Sequence, residues 1–357
     1  MTLPIQPPFE PMLAKLTREM PSLPDLLFEP KWDGFRCVAF RDGDELDLQS
    51  RNQKPLLRYF PELREPLLAQ IPDQTVLDGE LVIATPRGLD FDALQLRQHP
   101  AASRVKKLSV EIPASYVAFD LLALGTESLL EEPFRDRRAG LERLLGKAEP
   151  PLYVTPATTS RDQALQWFAA FEGAGFDGIV AKPFTSTYQP GVRAMLKVKH
   201  ERTCDCVVAG YRMHKDGNGV GSLLVGLYDD EHVLHHVGVV SAMAAALRKQ
   251  LLQDVQPLRK NALANHPWRE WADAMNEAAA SGQRMPGGPN RWNASKDMSW
   301  EPLRIERVCE AEYEGLLSGR FRHNARFRCW REDKDPDECT YAQLEAVAPA
   351  ELLEMFG

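Results

Sequence analysis

The stretch Glu29-Pro30-Lys31-Trp32-Asp33-Gly34-Phe35-Arg36 sets a lysine at the edge of a turn, ahead of the β-prone run Cys37-Val38-Ala39-Phe40. Gly34 gives the turn backbone freedom, and Arg36 falls in the strand beyond it. A lysine amine attacks an electrophile only after losing its proton. A nucleophilic Lys31 therefore needs desolvation or neighbouring cations to lower its pKa. A lone Lys-x-Asp-Gly is more often a solvated lysine in a polar turn, so the choice rests on the residues further along the chain.

Several groups with chemical capacity come next, in order. Ser50-Arg51-Asn52 offers a guanidinium for ribose hydroxyls or phosphate oxygens, or for a nearby acid in a turn. Leu77-Asp78-Gly79-Glu80-Leu81-Val82 puts carboxylates inside an apolar strand, where a charge must be paired, hydrogen-bonded to ligand or bound to metal. Phe119-Asp120 lies in an apolar strand, and its ring is placed to stack on a base or to fill a core. Phe176-Asp177-Gly178-Ile179-Val180-Ala181-Lys182 supplies another carboxylate beside a glycine, then a lysine at a strand end. Asp177 and Glu80 together suit a hard divalent cation. Lys197-Val198-Lys199 alternates along a strand, so both ammonium groups share a face and repel unless an anion lies between them. The set describes a nucleotide cleft. In it, Lys197 and Lys199 would lower the pKa of Lys31 by like-charge repulsion and stabilise a transferring phosphate.

Elements able to position these groups are legible in the pattern. Strands are expected at 38–40, 45–49, 75–83, 116–122, 178–181 and 194–198, and helices at 58–70, 132–145 and 161–173. Strands outnumber helices and do not alternate with them one for one, which favours an α+β domain with antiparallel sheets over a doubly wound parallel sheet. Near Lys199 the texture changes. Short strands are expected at 204–212, 223–228 and 232–239, as in a small barrel or sandwich. A helix should come after them with Leu247, Leu251, Leu252 and Val255 on one face, then a Gly/Pro-rich loop at 282–290. Strands should return at 303–313 and 326–330, with a closing helix at 340–356 capped by Thr340. The division expected is 1–200 and 201–357, with the hinge at 199–205.

A chain of 357 residues, 44% hydrophobic and 26% charged, suits two soluble globular domains. It contains no apolar run of membrane-spanning length, and its first ten residues lack a signal-peptide pattern, so a cytoplasmic protein is expected. The six cysteines form no paired Cys-x-x-Cys spacing, which points to reduced thiols, and His232, His235 and His236 fit structural roles better than metal ligation. The formal charge of −8 argues against a uniformly basic nucleic-acid binder. It conceals Arg320, Arg322, Arg326, Arg328 and Arg331, which fall within one short segment.

In this order the motifs resemble the covalent nucleotidyltransferases, the superfamily of polynucleotide ligases and mRNA capping enzymes. Lys31-x-Asp33-Gly34-x-Arg36 matches the first motif and Ser50-Arg51-Asn52 the next. Asp78-Gly79-Glu80, Phe119-Asp120, Asp177-Gly178 to Lys182, and Lys197-x-Lys199 come after them as they do in that family. Glu29 to Gly34 and the run Arg326 to Lys334 are most similar to short bacterial ATP-dependent DNA ligases of the ligase C class. The resemblance implies a nucleotidyltransferase (adenylation) domain followed by a C-terminal OB-fold β-barrel. It implies ATP and a divalent metal, Mg²⁺ or Mn²⁺, as cofactors. Nicked duplex DNA would be the partner of a monomer that works with DNA-repair proteins.

Carried onto matching positions, Lys31 would take AMP from ATP, pass it to the 5′-phosphate at a nick, and the 3′-hydroxyl would then displace it. Glu29 would read the adenine amino group and Phe119 stack on the ring. Arg36 and Arg51 would bind ribose or phosphate, and Lys182 would lie at the nucleotide. Glu80 and Asp177 would serve ribose or metal, and Lys197 and Lys199 would hold the α-phosphate. Arg331 and Lys334 would orient the leaving pyrophosphate from a mobile domain. Two departures stand out. Asp177 occupies a place where the family usually has glutamate, and Lys31 lies too near the start to leave room for the N-terminal DNA-binding domain of large ligases. An RNA ligase or GTP-using capping enzyme is the neighbouring alternative. A single-strand-binding protein built on the second half would leave the carboxylates and lysines of the first half unexplained.

Overall fold

The computed structural model describes residues 1–86, 88–171, 174–270, 299–317 and 319–344. The chain forms two compact units, one over Met1–His200 and one over Glu201–Glu345.

In the first unit, strands β1 (Leu13–Thr17), β2 (Leu26–Lys31), β3 (Phe35–Asp42), β4 (Glu45–Ser50), β5 (Thr75–Val82), β6 (Ser115–Leu124), β7 (Leu152–Val154), β8 (Gly178–Pro183) and β9 (Arg193–Lys199) build two sheets. One has the order β1-β9-β8-β2 and the other β7-β6-β5-β3-β4. The expectation of antiparallel sheets needs correction. β1 runs parallel to β9 and β7 parallel to β6, so both sheets are mixed. β2 is an edge strand of its sheet, where Pro30 removes no ladder bond from a central strand. β5 and β6 lie inside the larger sheet and are buried along nearly their whole length, which their near-continuous apolar runs require.

Helices α1 (Arg64–Gln70), α2 (Phe91–Leu96), α3 (Ala102–Glu111), α4 (Phe134–Leu145) and α5 (Arg161–Phe171) complete this unit. α4 lies against β6, and α5 against β2 and β8. The single helix expected at 58–70 is instead two 3₁₀ turns, Leu57–Tyr59 and Pro61–Leu63, leading into α1. Pro61 is the cause: it has no N–H to give, and it pushes Phe60 out of helical geometry. α4 likewise starts at Phe134, after Pro133, two residues later than expected.

In the second unit, β10 (Arg202–Met213), β11 (Val220–Tyr228), β12 (Leu234–Ser241), β13 (Val308–Tyr313) and β14 (Ala325–Trp330) pair in the order β11-β12-β14-β13-β10. β10 pairs with β11 as well, so the pairings return on themselves. β12 and β14 run parallel, and the other neighbours are antiparallel. α6 (Ala245–Val255) buries Leu251 and Val255, two of the four apolar positions expected on its inner face. The strand expected at 303–313 is shorter at its start, and the described part of the expected closing helix is a 3₁₀ turn, Tyr341–Leu344. The loop at 282–290 and the remainder of that helix lie outside the described residues. All six cysteines are unbridged. Among the described residues, no helix is long and apolar enough to cross a membrane.

Candidate active site

Lys31 is the last residue of β2, and two backbone features bring Asp177 to it. The Asp177 N–H donates to the Lys31 carbonyl at 3.0 Å, and Gly178 pairs with Lys31 across the β8–β2 ladder. Gly178 has φ +137° and lies so close to the Val198 carbonyl that a Cβ would overlap it, so a side chain is excluded there. The Asp177 carboxylate consequently meets Lys31 Nζ at 2.7 Å and Lys199 Nζ at 3.4 Å. On the far side of the lysine, the Trp32 indole is buried and donates to Thr155 Oγ1 at 2.9 Å, which anchors the turn.

The charge state of Lys31 reverses the expectation. Burial alone would lower its pKa, but Asp177, with Glu80 and Asp33 behind it, more than offsets this and holds the amine above its ordinary value. The like-charge repulsion expected of this corner falls on Lys197 instead. Its pKa is lowered by burial and by the neighbouring charges of Lys31, Lys199 and Arg51. Lys31 is thus held as a protonated partner of Asp177. Arg51 itself sits exposed in the turn after β4 and contributes charge to the group.

A second set of contacts runs from Arg36 to Glu29. Arg36 grips Asp78 through Nε at 2.6 Å and Nη2 at 2.5 Å, and its guanidinium lies 4.6 Å from the centre of the Phe119 ring. Tyr188 donates to the same Asp78 carboxylate at 2.5 Å and accepts from the Met12 N–H at 2.9 Å, so this buried acid is fully satisfied. Lys182 Nζ also lies 4.6 Å from the Phe119 centroid. It donates to the Phe119 carbonyl at 3.0 Å and pairs with Glu29 Oε2 at 2.7 Å. The other oxygen of Glu29 accepts from Arg138 Nη1 at 3.1 Å. Phe119 is thus a buried ring already flanked by cations, and Glu29 a buried acid held by two of them. Arg138 and Tyr188 escaped the sequence reading. The Arg137-Arg138 pair interrupting the apolar stripe of α4 was the available signal for one, and Tyr188 gave none.

Glu80 faces Arg36 across the β3–β5 ladder and is half-buried. Burial pushes its carboxyl up to about 8, against the opposing pull of Arg36 and Lys31. Among the described residues, no group of three or more His, Cys, Asp or Glu side chains converges as a complete metal cage. Asp177, Glu80 and Asp33 are the carboxylates that act on the charge of Lys31.

Arg331 and Lys334 belong to the second unit, and the structure brings them to each other. Arg331 Nη1 meets Asp205 Oδ1 at 2.8 Å, and Lys334 Nζ meets Asp205 Oδ2 at 2.8 Å. Arg331 also donates to Asp333 through Nε and Nη2 at 2.9 and 2.7 Å.

Residues 11–199 match the family model described as ATP dependent DNA ligase domain, and residues 216–334 match ATP dependent DNA ligase C terminal region. DNA ligase C2 of Mycolicibacterium smegmatis is 51% identical over 349 residues, spanning 97% of each chain. DNA ligase C of Mycobacterium tuberculosis is 51% identical over 362 residues, spanning 99% of each. A structure from a study of DNA binding with a minimal scaffold in Lig E DNA ligases shares the fold with a TM-score of 0.54. It is 16% identical and spans 90% of this chain and 99% of that one. With more than half its length matched by one ligase domain and near-complete relatives at half identity, the chain belongs to the ATP-dependent DNA ligase family.

Proposed function

We propose that the chain seals 3′-hydroxyl/5′-phosphate nicks in duplex DNA, with Lys31 as the covalent carrier of AMP. The observation that carries this is the Lys31–Asp177 pair at 2.7 Å, with Lys199 on the same carboxylate and Lys197 beside it. A lone amine among cations would bind phosphate; an amine poised on a displaceable carboxylate can also lose its proton. When Asp177 is engaged elsewhere, the partner that keeps Lys31 charged is gone, and Lys197 and Lys199 then favour the neutral amine.

Lys31 Nζ attacks the α-phosphorus of ATP: a P–N bond forms, the P–O bond to pyrophosphate breaks, and the amine proton is released. The 5′-phosphate of the nick then takes the adenylyl group from Lys31. The 3′-hydroxyl finally attacks that 5′-phosphorus, AMP departs, and the strand is closed. Lys197 and Lys199 stabilise the charge on the phosphoryl oxygens. Arg36 and Arg51 serve ribose or phosphate, and Phe119 offers its ring to adenine. Lys182 holds Glu29 in place to accept from the adenine amino group.

A divalent cation, Mg²⁺ or Mn²⁺, fits Glu80 and Asp177. Hard cations take one or two carboxylates and complete their shell with phosphate oxygens and water, and a carboxyl displaced to about 8 gains a counter-charge. When bound it would neutralise charge on the reacting phosphate. The self-returning strand pairing of the second unit supports an OB-fold over 201–357, following a nucleotidyltransferase domain over 1–200. Arg331 and Lys334 would orient the leaving pyrophosphate. Repair of broken DNA is the setting we propose, with a cytoplasmic monomer and repair proteins that present the nick.

The test is direct. Labelled ATP leaves AMP on the wild-type protein and none on Lys31→Ala, labelled GTP leaves nothing, and nicked DNA is sealed in preference to nicked RNA. Mass spectrometry placing the adduct on another side chain, or finding none, would overturn the proposal.

A further inference from the structure

We infer that Asp205 is a positioning residue for the adenylation step, setting the spacing of Arg331 and Lys334 so that the two cations meet one polyphosphate together. The inference rests on the pyrophosphate-orienting role proposed above for those two residues, and names the residue that makes it possible.

Asp205 lies early in β10, opposite Glu310 of β13, and its side chain is 10% exposed. A nearly buried carboxylate requires compensation, and it has two partners on separate oxygens, Arg331 at Oδ1 and Lys334 at Oδ2. One carboxylate and two hydrogen bonds span at most about 8 Å, so the cationic heads are held within that distance of each other. Two like charges in one turn would otherwise drift apart. Their carrier is a short turn after β14, closed by the Lys334 N–H on the Arg331 carbonyl at 3.4 Å.

The acid is fixed in turn. Gln343 accepts from the Asp205 N–H at 2.9 Å and donates to the Asp205 carbonyl at 3.2 Å, so the backbone carrying the carboxylate is gripped on both sides. Asp333 takes Nε and Nη2 of Arg331 and fixes the plane of the guanidinium. Yet the Arg331 and Lys334 side chains remain 27% and 30% exposed. Among the described residues, Arg331 uses three of its five N–H groups in these contacts and Lys334 one of its three; the other donors can serve a ligand. An anion-bound pair that keeps donors in reserve is a prearranged clamp for phosphate oxygens.

The two cations act only while pyrophosphate is leaving, so the effect is confined to one step of three. Asp205→Asn keeps the shape and removes the charge. It should lower kcat/KM for ATP in lysyl-AMP formation by about tenfold to a hundredfold, while sealing of a nick already carrying a 5′-adenylate, which needs no ATP, continues at the wild-type rate. Asp205→Glu should recover part of the loss. Because the acid acts through its partners, Asp205→Asn added to an Arg331→Ala/Lys334→Ala variant should cost nothing further, a comparison that holds even if the single variant is less stable. Adenylation by Asp205→Asn at or above the wild-type rate overturns the inference and leaves the role of the cations standing. An additive loss in the triple variant also overturns it, since Asp205 would then act elsewhere. If Arg331→Ala/Lys334→Ala adenylates like the wild type, the role of the cations fails and takes the inference with it.

Discussion

The Glu80 carboxyl is strongly displaced, and the displacement has a sign that can be measured. Burial raises it from 4.5 to about 8 despite Arg36 and Lys31, so between those values the folded protein holds a proton that the unfolded chain has released. Stability of the metal-free protein should therefore fall as pH rises from 4.5 towards 8, by roughly 2–4 kcal/mol across the window. Urea unfolding in the presence of a chelator at pH 5 and pH 8 reads this directly, and Glu80→Gln should flatten the difference. An unchanged pH dependence in Glu80→Gln would mean another group is responsible. The same residue shows what a sequence can and cannot convey. Its placement among apolar neighbours singled it out, as a glycine three residues on did for Lys31 and an adjacent one for Asp177. The sign of the Lys31 shift was illegible, because the acid that decides it lies 146 positions away and approaches only through the ladder between β2 and β8. Tyr188 and Asp205 were invisible for a related reason: each acts on a residue far along the chain.

At the scale of elements, the strands found from the sequence are those with long apolar runs, such as β5 and β6, whose burial on both faces leaves an unmistakable pattern. The strands that escaped, β1, β2 and β7, are short or lie at sheet edges, where half-exposed residues and Pro30 weaken the signal. Parallel pairing was missed because parallel partners are joined by long connections that carry no local mark. Gly79 illustrates how tightly β5 is constrained. A Cβ there would meet the Tyr116 ring and the Val117 carbonyl at 2.6 Å each. The ring cannot retreat freely, because the Tyr116 hydroxyl donates to the Cys37 and Leu77 carbonyls at 3.1 and 3.2 Å. Gly79→Ala should destabilise the protein by roughly 1–3 kcal/mol through overpacking, lowering the melting temperature by roughly 2–4 °C per kcal/mol. Thermal unfolding followed by circular dichroism checks it. A neutral or stabilising result would show that β5 and β6 separate more easily than their packing indicates.

For the whole molecule the puzzle is charge: a chain with a formal net charge of −8 must hold a polyanion. Local surface resolves it, since counterion release depends on the cations that touch phosphate and hardly on the distant acids. The arginine-rich segment of the second unit is the natural place to look, but its members are not equivalent. Arg328 is committed to Glu201 at 2.6 Å and Glu312 at 2.8 Å, whereas Arg326 reaches Glu312 only at 3.5 Å and is 60% exposed. Breaking two close pairs costs more than breaking one loose pair, so Arg326 should give the larger phosphate contact. With nicked duplex DNA followed by fluorescence anisotropy over a series of salt concentrations, Arg326→Ala should weaken binding alike for all sequences and reduce the slope of log K against log salt by about one. Arg328→Ala should reduce it by less, and neither should alter lysyl-AMP formation, which requires no DNA. If Arg328→Ala lowers the slope more than Arg326→Ala, the pairs to Glu201 and Glu312 give way to DNA, and the acids of this surface act as removable place-holders for phosphate.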